Sequence, residues 1–175
     1  SNGFVKEGKT LLTSNAVDVK DFSSAATDPA RTEALRAELG FSRDHKIIIM
    51  VARMIWPKGI KEFAEAAEML KDDHPDYRFL LIAPLEENSP AAGPESYIND
   101  MKSRANLTWV PFRKDILTAY ALADLSVLPS YYKEGGYPRA LLEAMGLGKP
   151  VIAADTDECR GPVEDGRNGY LVPPK

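Results

Sequence analysis

Ile47-Ile48-Ile49-Met50-Val51 is an unbroken apolar run rich in β-branched residues. A strand with one wet face alternates apolar and polar side chains; a strand covered on both faces does not. The run is far shorter than a membrane span. It predicts a central strand of a parallel sheet sandwiched between helices, and the rest of the chain agrees. Residues 78–83, 108–110, 124–128, 151–154 and 170–172 read as further strands. Helical patterns fall between them.

The helix signals are local. Asp28-Pro29 is an N-cap followed by proline, and Gly40 ends that helix after Leu39. Pro57 is expected to open the next helix, whose apolar face is Ile60, Phe63, Ala64, Ala67 and Leu70, with Lys58 in its first turn. Asp115 is expected to cap a helix over residues 116–123, and Pro138 to start one running to residue 146 or 147. The fold class is therefore α/β, a doubly wound, Rossmann-like parallel sheet. Ligands of such sheets sit at the carboxyl ends of the strands, near a topological switch point. Residues 84–94 (PLEENSPAAGP) form a long loop to which the sequence assigns no chemistry.

The 175 residues are enough for one domain with a sizeable core. With a net charge of −4 and no Lys/Arg block, the chain is a poor nucleic-acid binder. A single cysteine, Cys159, forms no internal disulfide and points to a reducing compartment. It reads as structural rather than nucleophilic, and His45 and His74 as solvated loop residues. There is no signal-peptide pattern. The last strand is followed only by Pro173-Pro174-Lys175, so the chain reads as part of something longer.

Two strand-to-helix loops carry candidate chemistry. In the first, Arg53 and Lys58 lie where a helix N-terminus opposes positive charge. They are either solvated cations or the partners of a bound anion such as a diphosphate. In the second, Gly135 and Gly136 permit close backbone approach, and Pro138 leaves free N–H groups facing the loop. Glu134 and Glu143 flank that loop. Carboxylates suit sugar or ribose hydroxyls rather than phosphates. Otherwise Glu134 is a surface acid and Glu143 pairs with Arg139 at i,i+4. No Gly-x-Gly-x-x-Gly, Walker or zinc pattern is present, and Asp155 with Asp157 is a weak magnesium signal.

At these residues the chain resembles the donor lobe of retaining GT-B glycosyltransferases, family 4, a group that includes bacterial capsule and O-antigen enzymes. The resemblance rests on Arg53 with Lys58-Gly59, on Glu134-Gly-Gly-Tyr-Pro-Arg-Ala-Leu-Leu-Glu143, on Gly148-Lys-Pro-Val-Ile-Ala and on Glu164-Asp-Gly-Arg-Asn-Gly-Tyr-Leu-Val-Pro173. Asn15-Ala-Val-Asp18 through Phe22 is similar to the family's lead-in to this lobe, and Phe112-Arg113-Lys114-Asp115 to the loop bordering the nucleobase.

The resemblance implies a nucleoside-diphosphate sugar as donor, with no metal or other cofactor. Arg53 and Lys58 would neutralise the diphosphate, Glu134 would face the transferred sugar, and Glu143 would hold the ribose. Gly135, Gly136 and Tyr137 would help bind phosphate or sugar, and Phe112 and Arg113 the base. Residues 1–22 would be the interdomain segment at the edge of the lobe, and residues 23–175 the nucleotide-sugar-binding domain. The N-terminal acceptor lobe and the final helix would lie outside the chain. A glycan or lipid-linked acceptor, a cytoplasmic setting and peripheral contact with the inner membrane face through the other lobe are implied as well.

Three departures from the family's pattern stand out. The eight residues between Glu134 and Glu143 are one more than usual. Ala52 stands where glycine is frequent. Glu158-Cys159-Arg160-Gly161 stands where Gly-Cys-Arg-Glu is common. A nucleotide-binding or regulatory module without transfer chemistry, or a two-lobed sugar-nucleotide epimerase, remains open as another reading.

Overall fold

The computed structural model describes residues 15–18, 20, 22, 28–86, 88–133 and 135–175. Glu134 and most of the first 27 residues lie outside the described residues.

Six strands form one fully parallel sheet. They are β1 (Lys46–Val51), β2 (Tyr77–Ile82), β3 (Leu107–Val110), β4 (Leu125–Leu128), β5 (Val151–Ala154) and β6 (Gly169–Val172). Their order in the sheet is β3-β2-β1-β4-β5-β6. The chain winds outward from β1 to β3, crosses back, and winds the other way from β4 to β6. The switch point therefore lies between β1 and β4, which pair through Ile48 with Leu125 and Ile49 with Ser126.

Alternate residues of β1 enter opposite cores, as the pleat requires. Ile47 and Ile49 pack with Leu80, Ile82, Val151 and Ala153 beneath α1 (Pro29–Glu38), α4 (Ile116–Leu122) and α5 (Arg139–Gly146). Ile48 and Met50 pack with Phe79, Leu81 and Leu107 beneath α2 (Ile60–Leu70) and α3 (Glu95–Lys102). The short α6 (Asp157–Arg160) follows β5 and contributes Cys159 to the first of these cores.

Local signals place several ends well. Asp28 caps α1 by accepting from the Arg31 N–H at 3.1 Å, and Gly40 follows at φ 71°. Two expectations need correcting. Pro57 lies in a 3-10 turn (Trp56–Lys58), and α2 begins only at Ile60. Lys58 therefore precedes the helix. Asp115 is the N-cap residue of α4 by position, but its side chain makes no capping bond. It accepts from Arg113 instead, at 2.8 and 2.9 Å.

Candidate donor site at the carboxyl edge of the sheet

The switch point brings the loops after β1 and β4 into direct contact. Gly59 sits at φ 83°, and a Cβ there would stand 2.5 Å from both the carbonyl oxygen and the ring of Pro129. That close approach needs glycine twice over, for its backbone and for its missing side chain. The Tyr131 N–H donates to the Pro57 carbonyl at 2.9 Å, joining the two loops.

The long loop after β2 braces the Arg53 turn from the other side. Met54 pairs with Leu85, Ile55 pairs with Ala92, and the Trp56 N–H donates to Ala91 at 2.9 Å. Residues of the 84–94 stretch that had no assigned chemistry thus hold the turn that carries Arg53. The Trp56 ring also stacks edge-on against Tyr97 of α3, with centroids 4.8 Å apart.

A cleft of about 580 Å³ opens at this edge, within the range of roughly 300–1,000 Å³ typical of small-ligand sites. Its apolar lining includes Val51, Ile82, Leu128 and Ile116, at the ends of three strands and the start of α4. Polar side chains enter from four places: Asn15 ahead of α1, Arg53 and Lys58 after β1, Arg113 after β3, and Arg139 with Glu143 on α5. Phe112, 65% exposed, lines the cleft beside Arg113.

Lys58 is buried to 8% exposure, which is unusual for a lysine. Its ammonium lies 4.8 Å from the centre of the Tyr132 ring, and the Arg53 guanidinium lies 5.2 Å from the same centre. One aromatic ring thus contacts two cations at the strand ends, a cation–π arrangement that favours keeping both there.

Glu143 pairs with Arg139, as one of the two sequence readings had it, and it also lines the cleft. It accepts from Arg139 Nη2 at 3.3 Å, and its side chain is only 14% exposed within the cleft. Burial pushes its carboxyl above the usual glutamate range, with the Arg139 charge opposing. A carboxylate accepts at several lone-pair positions, so the single contact from Arg139 leaves capacity for hydroxyls.

Arg113 lines the cleft, yet its guanidinium is engaged elsewhere. It donates to both oxygens of Asp115 and to both oxygens of Glu38 on α1. The arrangement braces the loop carrying Phe112 rather than offering a free fork to a ligand. Hydrogen bonds from Arg113 hold the Asp115 carboxyl below its ordinary value.

Gly135, Gly136 and Tyr137 do not line the cleft. Gly135 is exposed at φ 72°, Gly136 faces the Asn15 side chain, and the Tyr137 carbonyl accepts from Asn15 Nδ2 at 2.7 Å. Asp155 and Asp157 both accept from Arg160, at 2.6 and 3.0 Å. Cys159 is buried, and the two histidines stay in loops, where His74 stacks on Tyr77. Sequence reasoning missed Tyr132 and Asn15 as parts of the site. Tyr132 had a signal, since it lies within the motif loop, but its contact with Arg53 and Lys58 spans more than 70 residues and leaves no local trace.

The geometry is matched by kinship. Residues 31–175 match the family described as Glycosyl transferases group 1. The chain belongs to this family. It is 34% identical over 167 residues to a Campylobacter jejuni N,N'-diacetylbacillosaminyl-diphospho-undecaprenol alpha-1,3-N-acetylgalactosaminyltransferase, covering 95% of this chain and 41% of that protein. An Escherichia coli UDP-Gal:alpha-D-GlcNAc-diphosphoundecaprenol alpha-1,3-galactosyltransferase is 29% identical, with 97% of this chain and 42% of that protein covered. The crystal structure of Anabaena HepE with UDP and glucose superposes with a TM-score of 0.74 and 26% identity, over 91% of this chain and 42% of that one. The chain thus spans about two fifths of the length of these glycosyltransferases. Among the described residues no helix is long and apolar enough to cross a membrane.

Proposed function

We propose that this chain is the donor-binding half of a retaining glycosyltransferase that moves a sugar from a nucleoside-diphosphate sugar to a glycan or lipid-linked acceptor. The observation that carries the reading is the convergence of Arg53, Lys58 and Glu143 on one cleft at the switch point. In that cleft the two cations meet the diphosphate, Glu143 accepts from the ribose hydroxyls, and the base lies toward Phe112. As the glycosidic bond breaks, negative charge grows on the departing diphosphate. Fixed cations already in place stabilise that charge without reorganisation. Glu134, at the other end of the motif loop, faces the transferred sugar in this reading.

Support comes from the relatives. HepE has been crystallised with UDP and glucose, and two relatives bear names with diphospho-undecaprenol acceptors. By this reading the acceptor belongs to the remaining three fifths of the enzyme. Surface polysaccharide synthesis at the cytoplasmic membrane face, with peripheral contact through that other part, fits such acceptors.

The test is transfer by the complete protein carrying Glu134→Gln. Donor binding should persist while transfer falls by ~100-fold or more, the scale of losing one electrostatic group at a reacting centre. Undiminished transfer would overturn the catalytic part of the reading.

A further inference from the structure

Gly161 follows α6 with φ −68° and ψ −55°, ordinary helical backbone that any residue adopts. Its lack of a side chain has a different cause. A Cβ at this position would stand 2.2 Å from Cε1, 2.4 Å from Cζ and 2.6 Å from the hydroxyl of Tyr137. The Tyr137 ring occupies the space that any side chain at position 161 would need.

Tyr137 is held a second way, since its carbonyl accepts from Asn15 Nδ2 at 2.7 Å. It therefore joins three segments distant in sequence: residue 15, the loop after β4, and the turn after β5. Next to this ring the backbone is permissive. Gly135 has φ 72° with nothing within 4 Å of where its Cβ would be, and glycine backbones are the most permissive. The loop is tied at its start by the Tyr131 N–H to Pro57 and at its end by Tyr137.

We infer that Tyr137 is a positioning residue for the donor loop, seated on Gly161, and that the two positions act as a unit. The inference rests on the donor-binding reading above. The ring sets the path of residues 135–138, and so governs the sugar-and-phosphate end of the donor rather than the base end.

The test is calorimetric titration of the chain with whichever of UDP, GDP and ADP the wild type binds, its glucose conjugate, and its nucleoside monophosphate. The proteins are wild type, Tyr137→Ala, Tyr137→Phe, Gly161→Ala and the Tyr137→Ala/Gly161→Ala double variant. Tyr137→Ala and Gly161→Ala each weaken binding of the glucose conjugate roughly tenfold, the scale of a sub-ångström misplacement, and leave the monophosphate nearly unchanged. Tyr137→Phe keeps the ring and the affinity. Gly161→Ala lowers the melting temperature of the wild type but adds nothing, in affinity or in melting, once Tyr137→Ala is present, because coupled residues are non-additive.

Equal losses for all ligands, no loss, or an undiminished effect of Gly161→Ala in the Tyr137→Ala background would overturn the inference while leaving the donor reading intact. A folded wild type that binds none of the nucleotides overturns the donor reading, and this inference with it.

Discussion

Lys58 Nζ stands 4.8 Å from the centre of the Tyr132 ring, so the buried lysine of the cleft rests against an aromatic ring that is itself partly open to solvent. The Arg53 guanidinium lies 5.2 Å from the same ring centre. Tyr132 thus favours keeping two like charges close together at the strand ends. Replacing it with leucine removes about 1 kcal/mol of cation–π attraction. Affinity for a nucleoside diphosphate should fall several-fold, whereas Tyr132→Phe should retain it. Calorimetry on the two variants makes the comparison.

Gly59 should be the least replaceable glycine tested. Gly59→Ala combines a left-handed backbone with contact against the Pro129 carbonyl, a cost of about 2 kcal/mol or more. Gly40→Ala has a similar φ of 71° but open space around the new methyl, so it should cost only about 1 kcal/mol. Denaturant unfolding of both variants checks the ranking. Equal costs would mean that the two loops at the switch point are less closely packed than described.

Glu143 predicts a pH dependence of binding. Burial holds its carboxyl above the ordinary glutamate value of 4.5. The group therefore protonates earlier than an exposed acid as pH falls, and a protonated acid is a poorer acceptor for ribose hydroxyls. Affinity for a nucleotide sugar, whose own phosphates do not titrate in this region, should decline on acidification from a pH above 4.5. Glu143→Gln should bind more weakly at neutral pH and show no such decline. The same shift has a stability sign: a raised carboxylate pKa favours the folded chain at low pH and loses that contribution as pH rises through the folded value.

The Arg113 brace has the opposite sign. Its hydrogen bonds hold the Asp115 carboxyl below the ordinary aspartate value of 3.8. The resulting stability is present above that value and lost as pH falls through the lower folded one. Arg113→Met should therefore lower the melting temperature at neutral pH, and the gap to wild type should narrow below pH 3.8. A gap that does not change with pH would show that the guanidinium contributes only packing.

These relationships separate what the chain discloses locally from what it does not. The strands are legible because burial on both faces leaves unbroken apolar runs, and β1 and β5 begin and end within one residue of the reading. The helix α3 was missed. It follows Pro94, has no side-chain cap, and offers only Ile98 and Met101 as buried residues over its eight positions. The four residues of α6 are too few for any periodicity. The late start of α2 was invisible as well, because it follows from Gly59 meeting Pro129, 70 positions away.

At the site, residue types in the motif loops pointed to Arg53, Lys58 and Glu143, and all three line the cleft. Arg113 illustrates the limit. The sequence shows an arginine beside Phe112 but not Glu38 on α1, which competes for its guanidinium. Asn15 and Gly161 acquire meaning only through Tyr137, across long stretches of chain.

The most direct test of the central claim is titration of the chain with UDP, GDP and ADP, in wild type and in Arg53→Ala/Lys58→Ala, with circular dichroism confirming that both are folded. The account predicts that one diphosphate binds the wild type and that the double variant loses at least ~10-fold in affinity, as expected for removing charge-assisted contacts to phosphate. A folded wild type that binds none of the three at millimolar concentration, or a double variant that binds as well as wild type, would contradict the assignment of this cleft to a nucleotide donor.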